Sequence, residues 1–263
     1  MNIILVFSED WAKHVAVELY AIFKNNPPPV KVYLVSDFLS SQALDTYSKV
    51  QKHFGEGYRY VYLNVEQLYN TLIPSKVNVD KRFTKYTLYR LILPKVIEDD
   101  KVLYLDTDTI VNGDITDFYN LDLKGDLVAG VIDSGIYSPQ YKYMLYNIGL
   151  TEKDPYINAG VTLFNWKEIR NLNLCDIWLR EINSKLYGCH DQDVINMTCK
   201  GRLRVVDLAY NVSLSTGLNI KPEDIKIMHY AGSRETKPWT GSTKAPFYQI
   251  WNKWASEYKE VIK

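Results

Sequence analysis

Four short apolar runs limit what this chain can fold into more than any other feature. They are residues 3–7 (IILVF), 30–35 (VKVYLV), 58–63 (YRYVYL) and 102–105 (VLYL). Runs that stay apolar or aromatic on both alternating sides belong to strands buried on both faces of a sheet. Between the first two, residues 11–25 place Val15, Leu19, Ile22 and Phe23 on one helical face, and Pro27, Pro28 and Pro29 end the segment. Residues 40–53 read as a second helix with Ser40 or Ser41 as N-cap. This βαβαβ order predicts an α/β fold with a parallel sheet and helices on both faces.

Further along, residues 84–97 read as a helix kinked at Pro94. Residues 127–132 and 157–164 read as strands, and 166–171, 175–185 and 191–199 as helices. A short late strand is expected at 225–229 and a Trp-rich helix at 245–258. At 263 residues and 46% hydrophobic, the chain can bury one large core. It reads as a single domain. Residues 1–110 form a nucleotide-binding half, 111–242 surround its mouth, and 243–263 add a C-terminal helix.

Lys+Arg and Asp+Glu are both 31, so the formal net charge is zero. That excludes the positive excess by which nucleic-acid binders are known. The 21 Tyr and 6 Trp suit sugar-ring contacts, but buried aromatics are more often core. Three cysteines, Cys175, Cys189 and Cys199, lack CxxC spacing, which argues against a zinc ribbon or a disulfide framework. The start, MNIILVFSEDWAKH, has neither the basic region nor the cleavage site of a signal peptide. No apolar run nears the roughly 20 residues of a membrane span. A cytoplasmic protein is expected, with weak peripheral contact at the inner membrane face left open.

The 102–105 run ends in Asp106, Thr107 and Asp108. Ligands of open α/β sheets bind beyond the carboxyl ends of strands. In extended chain, carboxylates at i and i+2 point to one side and repel unless a cation or proton intervenes. Three readings stand: a capped turn, a phosphatase pair, or a clamp on a divalent ion. Haloacid-dehalogenase phosphatases carry such a pair on their first core strand, whereas here about a hundred residues precede it. Three further segments weigh toward the clamp. In residues 227–239, His229 can complete a carboxylate site and favours Mn²⁺ over Mg²⁺, Gly232 lets backbone approach a phosphate, and Lys237 adds a positive charge. Asp191, Gln192 and Asp193 cluster at a helix start, where N-capping accounts for one of them. Asn158 and Gly160 interrupt a strand, as backbone facing a ligand or an ordinary bulge would.

Together these segments resemble glycosyltransferase family 8, the glycogenin and bacterial lipooligosaccharide galactosyltransferase group. The likeness runs from about Asn2 to Trp239 through the N-terminal strand with SEDWAKH, YRLILP (89–94), LDTD (105–108), NAGV (158–161), DQDVIN (191–196) and HYAG with KPW. It implies a GT-A fold, a Rossmann-like half with a mixed central sheet, and a retaining transfer of glucose or galactose from a UDP-sugar, with Mn²⁺ or Mg²⁺ as cofactor. The acceptor would be a bacterial glycan or glycoprotein, making 111–242 the donor-sugar and acceptor half. By motif position, Asp106, Asp108 and His229 would hold the metal. Thr107, Gly232, Lys237 and Arg90 would contact the donor. Residues 6–11, with Phe7, Ser8, Asp10 and Trp11, would bind uridine. Asp133 and Asn158 would lie near the sugar, and Asp191 and Gln192 near its anomeric carbon, with Asp193 the candidate nucleophile of a covalent route. Ser8 stands where many members have Asp, so Glu9 or Asp10 is expected to take that contact. Arg234 could share the role of Lys237, because the link before KPW is longer than usual. The runner-up functions are a phosphatase and a UDP-sugar-binding protein without catalysis.

Overall fold

The computed structural model describes residues 1–79 and 84–262. Nine strands are β1 Asn2–Val6, β2 Val30–Val35, β3 Tyr58–Leu63, β4 Lys101–Leu105, β5 Thr109–Val111, β6 Val128–Ile132, β7 Ile157–Asn165, β8 Leu203–Val205 and β9 Ile227–His229. Seven form one sheet in the order β3-β2-β1-β4-β7-β6-β8, and β5 pairs with β9 in a separate two-stranded sheet. β1 to β4 run parallel, β7 is antiparallel to both β4 and β6, and β8 is parallel to β6. The sheet is therefore mixed.

Period-two alternation explains the apolar runs. Ile3, Leu5, Leu103 and Leu105 face one core with the helices α1 Ala12–Asn25 and α2 Ser41–Phe54. Ile4, Val6, Val102 and Tyr104 face a second core on the other side. That side is covered by α3 Glu66–Leu72, α4 Lys85–Tyr89 and, beyond the small α5 Thr116–Tyr119 and α6 Tyr143–Asn147, by α7 Trp166–Asn171, α8 Leu174–Ser184 and α9 His190–Thr198. The last helix, α10 Tyr248–Val261, returns to the α1 face. Ser40 caps α2 as expected, accepting the Ala43 N–H at 3.2 Å. The aromatics are largely core, with Trp166, Trp178, Tyr20, Tyr47 and Tyr104 almost fully buried. Cys175 and Cys199 are buried free thiols.

Several expectations need correcting. Residues 84–97 do not form one kinked helix. α4 ends at Tyr89, Arg90 to Ile92 turn, and Leu93–Lys95 is a single 3₁₀ turn carrying Pro94. The late strand shrinks to Ile227–His229 and leaves the main sheet for β5, a strand too short to show a period. The tail helix starts at Tyr248 because Phe247 takes a left-handed conformation (φ 48°). Trp251 and Trp254 are core residues, so they offer no membrane anchor. No described helix is long and apolar enough to cross a membrane.

One buried carboxyl bears on stability. Glu18 of α1 is fully buried; its Oε2 accepts the Val111 N–H at 3.0 Å and its Oε1 lies 3.2 Å from the Thr109 hydroxyl. Burial pushes its pKa up from 4.5 to about 7, against the smaller opposing effect of those two hydrogen bonds. The folded chain thus holds a proton that the unfolded chain releases earlier, and stability falls as pH rises from about 4.5 to about 7. Glu18→Gln is expected to flatten this decline and to stabilise the protein by roughly 2 kcal/mol at pH 8. Urea midpoints of the two proteins at pH 5 and pH 8 measure it. An equal loss with pH in both would contradict it.

Candidate active site

The aspartate pair sits where β4 ends. The chain turns there instead of continuing extended, and the Thr109 N–H donates to the Asp106 carbonyl at 3.1 Å. The i, i+2 argument from extended chain is thus replaced by a turn, yet the carboxylates still converge. Two contacts hold the turn: the Asp106 N–H reaches the Gly160 carbonyl at 2.7 Å, and the Tyr230 N–H reaches the Asp108 carbonyl at 2.8 Å. The β5–β9 ladder sets Thr109 opposite His229. One ligand atom each from Asp106, Asp108 and His229 then lie within 4.8 Å of one another.

His229 Nε2 is 3.1 Å from Asp108 Oδ1 and 3.8 Å from Asp106 Oδ2, while Nδ1 is 3.0 Å from Asn211 Oδ1. Two carboxylate oxygens and an imidazole nitrogen fit a small divalent ion, with Mn²⁺ or Mg²⁺ matching the oxygen donors and the imidazole tilting the set toward Mn²⁺. Gly160 makes this convergence possible. A Cβ there would lie 2.2 Å from His229 Cε1 and 2.8 Å from Asp106 Oδ2. β7 runs on through Gly160, but its register with β6 slips between Gly130↔Thr162 and Ile132↔Ile157, so the glycine lies in an irregular stretch of the ladder and also allows close packing at the site. Gly160→Ala is expected to cost about 1–3 kcal/mol and to spread the three ligand atoms. Mn²⁺ affinity measured by calorimetry should fall at least tenfold, and an unchanged affinity would refute the packing argument.

Lys237 is buried and its Nζ donates to Asp108 Oδ2 and to the Tyr230 carbonyl. Burial opposes ionisation of Asp108, but the Lys237 ammonium and then His229 outweigh it and hold the carboxyl well below the usual range. Arg234 is exposed. Gly232 adopts φ +112°, which favours glycine, and lines the same cavity.

Arg90 ties the pair to α9. Its guanidinium meets Asp106 Oδ1 at 2.7 Å, Asp191 Oδ2 at 2.9 Å and the Ala159 carbonyl at 2.6 Å, and stacks over Tyr104 at 3.8 Å. Burial pushes Asp191 up to about 6 despite Arg90. Gln192 Oε1 accepts the Ala159 N–H at 2.9 Å, and its Nε2 points at Asp133 Oδ2 at 3.2 Å. Asn158 Nδ2 reaches that same Asp133 oxygen at 3.0 Å. Asp133 is raised by burial, which these two amides partly offset. Asp193 is turned away: its Oδ2 accepts the Cys189 N–H at 2.8 Å and its Oδ1 the Tyr156 hydroxyl at 2.5 Å. Asp193 is therefore the member of the trio that caps α9.

One cavity of about 620 Å³ is lined by Asp106, Asp108 and His229 together with Asp133, Asp191 and Gln192. The uridine candidates are not among the residues that line this cavity. Phe7 is buried in the core, and Ser8 follows the end of β1. Glu9 accepts the Ser40 N–H at 3.1 Å, whereas Asp10 is exposed and lines a second groove of about 1030 Å³. Trp11 meets Trp239 edge-on at 5.4 Å, and Thr107 occupies the middle of the turn. Sequence reading missed Tyr104, Tyr156 and Asn211. The tyrosines read as core, and Asn211 lies in an aperiodic loop with no motif around it.

Likeness to known proteins bears on the family and the fold. The family model described as glycosyl transferase family 8 matches residues 2–243. The general stress protein A of Bacillus subtilis is 22% identical over 97% of this chain and 94% of its own. The lipopolysaccharide 1,3-galactosyltransferase of Salmonella typhimurium is 26% identical over 85% of this chain and 68% of its own. The galactosyltransferase LgtC, crystallised with donor and acceptor sugar analogues, superposes with a TM-score of 0.78 at 21% identity, covering 98% of this chain and 96% of that one. That likeness, with the mixed seven-stranded sheet, makes the fold GT-A. With its family model spanning nearly the whole chain, this protein belongs to glycosyl transferase family 8.

Proposed function

We propose that this glycosyltransferase moves glucose or galactose from a UDP-sugar, with retention, to a bacterial glycan or glycoprotein acceptor. The observation that carries the reading is the convergence of Asp106, Asp108 and His229 in a cavity that Asp133, Asp191 and Gln192 also line. A divalent ion bound by the triad would neutralise the donor diphosphate as it departs. Lys237 and the backbone around Gly232 would receive the same charge, and residues 6–11 would hold the nucleoside. Residues 1–110 would thus act as the nucleotide half and 111–242 as the sugar and acceptor half.

At the sugar, Asp191 and Gln192 orient the ring, and Asp133 and Asn158 its hydroxyls. We favour transfer on one face: the acceptor oxygen bonds to the anomeric carbon as the bond to the phosphate oxygen breaks, and the acceptor proton passes to that phosphate oxygen. The engagement of both Asp193 oxygens supports this over a covalent route through Asp193. A phosphatase reading loses its footing, because the aspartate pair follows the fourth strand and the family is a transferase family.

Incubation with Mn²⁺ and a panel of UDP-sugars, measuring UDP and inorganic phosphate separately, tests the proposal. UDP release with UDP-glucose or UDP-galactose is expected. Phosphate release alone would indicate a phosphatase, and donor binding without UDP release a non-catalytic binder.

A further inference from the structure

We propose that Asn211 is a positioning residue for the cation site: it fixes the His229 tautomer whose bare Nε2 faces Asp106 and Asp108. The inference rests on the reading of that triad as a cation site. It is carried by a chain of amide orientations anchored on a backbone donor.

The Gly160 N–H can only donate, and it points at Asn158 Oδ1 at 3.1 Å. The oxygen of Asn158 is thereby assigned, and its Nδ2 must face the carboxylate of Asp133, as the 3.0 Å contact requires. Asn211 approaches the same Asn158 oxygen at 3.0 Å, so it must present Nδ2 there. Its Oδ1 is left to face His229 Nδ1 at 3.0 Å, and an amide oxygen accepts only. Nδ1 therefore carries a proton, and Nε2, 3.1 Å from Asp108 Oδ1, is the ring nitrogen left to offer its lone pair when an ion binds. Asn211 itself is immobilised: it is fully buried, its N–H donates to the Leu208 carbonyl at 3.0 Å, and its carbonyl accepts the Thr216 hydroxyl.

The alternative tautomer shows why this matters. A proton on Nε2 would donate to Asp108 Oδ1 and close the site in the ion-free protein. Asn211 makes that exchange unfavourable, because a bare Nδ1 would then face a carbonyl oxygen across 3.0 Å. Partners on the outer ring nitrogen of metal-binding histidines act in this way, and losing one typically weakens metal binding 10–100-fold.

The test uses the full chain labelled with ¹⁵N-histidine, without added metal, and reads whether Nδ1 of His229 carries a proton. The chain has 4 histidines, and His229→Gln assigns the signal. Long-range ¹H–¹⁵N spectra are expected to show His229 protonated at Nδ1 in the wild type and in Asn211→Asp, which retains an acceptor oxygen. Asn211→Leu is expected to move the proton to Nε2 and weaken binding of Mn²⁺ alone roughly 10- to 100-fold, and Asn211→Asp to weaken it less. A wild-type His229 with no proton on Nδ1 would overturn the inference. So would an Asn211→Leu protein with unchanged tautomer and Mn²⁺ affinity. If the leucine variant does not fold, the wild-type and aspartate spectra decide. A wild type that takes up no Mn²⁺ would overturn the cation-site reading, while the spectra still judge Asn211 separately.

Discussion

Asp108→Asn lowers Mn²⁺-supported UDP release from a UDP-hexose by about three orders of magnitude, with circular dichroism unchanged. The expectation follows from what the carboxylate does. Its Oδ1 faces His229 Nε2 and its Oδ2 holds Lys237, so it touches both another member of the triad and the lysine proposed to meet the leaving diphosphate. The amide keeps the shape and a weak ligand oxygen but removes the charge. An ion and a lysine that stabilise a departing diphosphate supply several kcal/mol, and each 1.4 kcal/mol is tenfold in rate. Asp106→Asn is expected to act in the same direction. Activity within tenfold of wild type in either variant, with native folding, would sink the clamp.

The largest effect on stability is expected from Arg90→Met, at about 3–5 kcal/mol. Arg90 is almost completely buried and is the cation between Asp106 and Asp191. Methionine fills much of the space but leaves Asp191 buried without a counter-charge. Without Arg90, the burial that already raises Asp191 to about 6 acts unopposed. Thermal unfolding near neutral pH should move down by about 10 °C. Adding Asp191→Asn removes the stranded charge and should recover roughly half of the loss. If the double variant is no more stable than Arg90→Met, the buried pair is not the cause.

How far the site could be read in advance depended on which forces act locally. The strands at 3–7 and 102–105 were legible because both faces are buried, which leaves a continuous apolar signal, whereas 30–35 and the half-exposed edge strand 58–63 were legible from their Val and Tyr content. α1 was legible because its buried residues repeat at helical spacing. The break after Tyr89 was not, because Arg90 is drawn inward by two aspartates that lie 16 and 101 positions later. The turn at Asp106 to Thr109 was read as extended chain because its shape is imposed by Gly160 and Tyr230, both distant in sequence. Of the three polar residues opening α9, spacing alone could not say that Asp193 is the cap while Asp191 and Gln192 face the cavity. Asn211 had no signal at all, since its role exists only through Asn158 and His229.

The pairing of β5 with β9 also sets an order of events during synthesis. Both aspartates have left the ribosome more than a hundred residues before His229 and Lys237 exist. Until the last strand threads back onto β5, the nascent chain has a pair of like charges next to Arg90 and no third ligand for an ion. The cluster of Asp106, Asp108 and His229 is thus among the last features of the molecule to be completed, and a chain whose translation stops short of β9 carries only two of its three members.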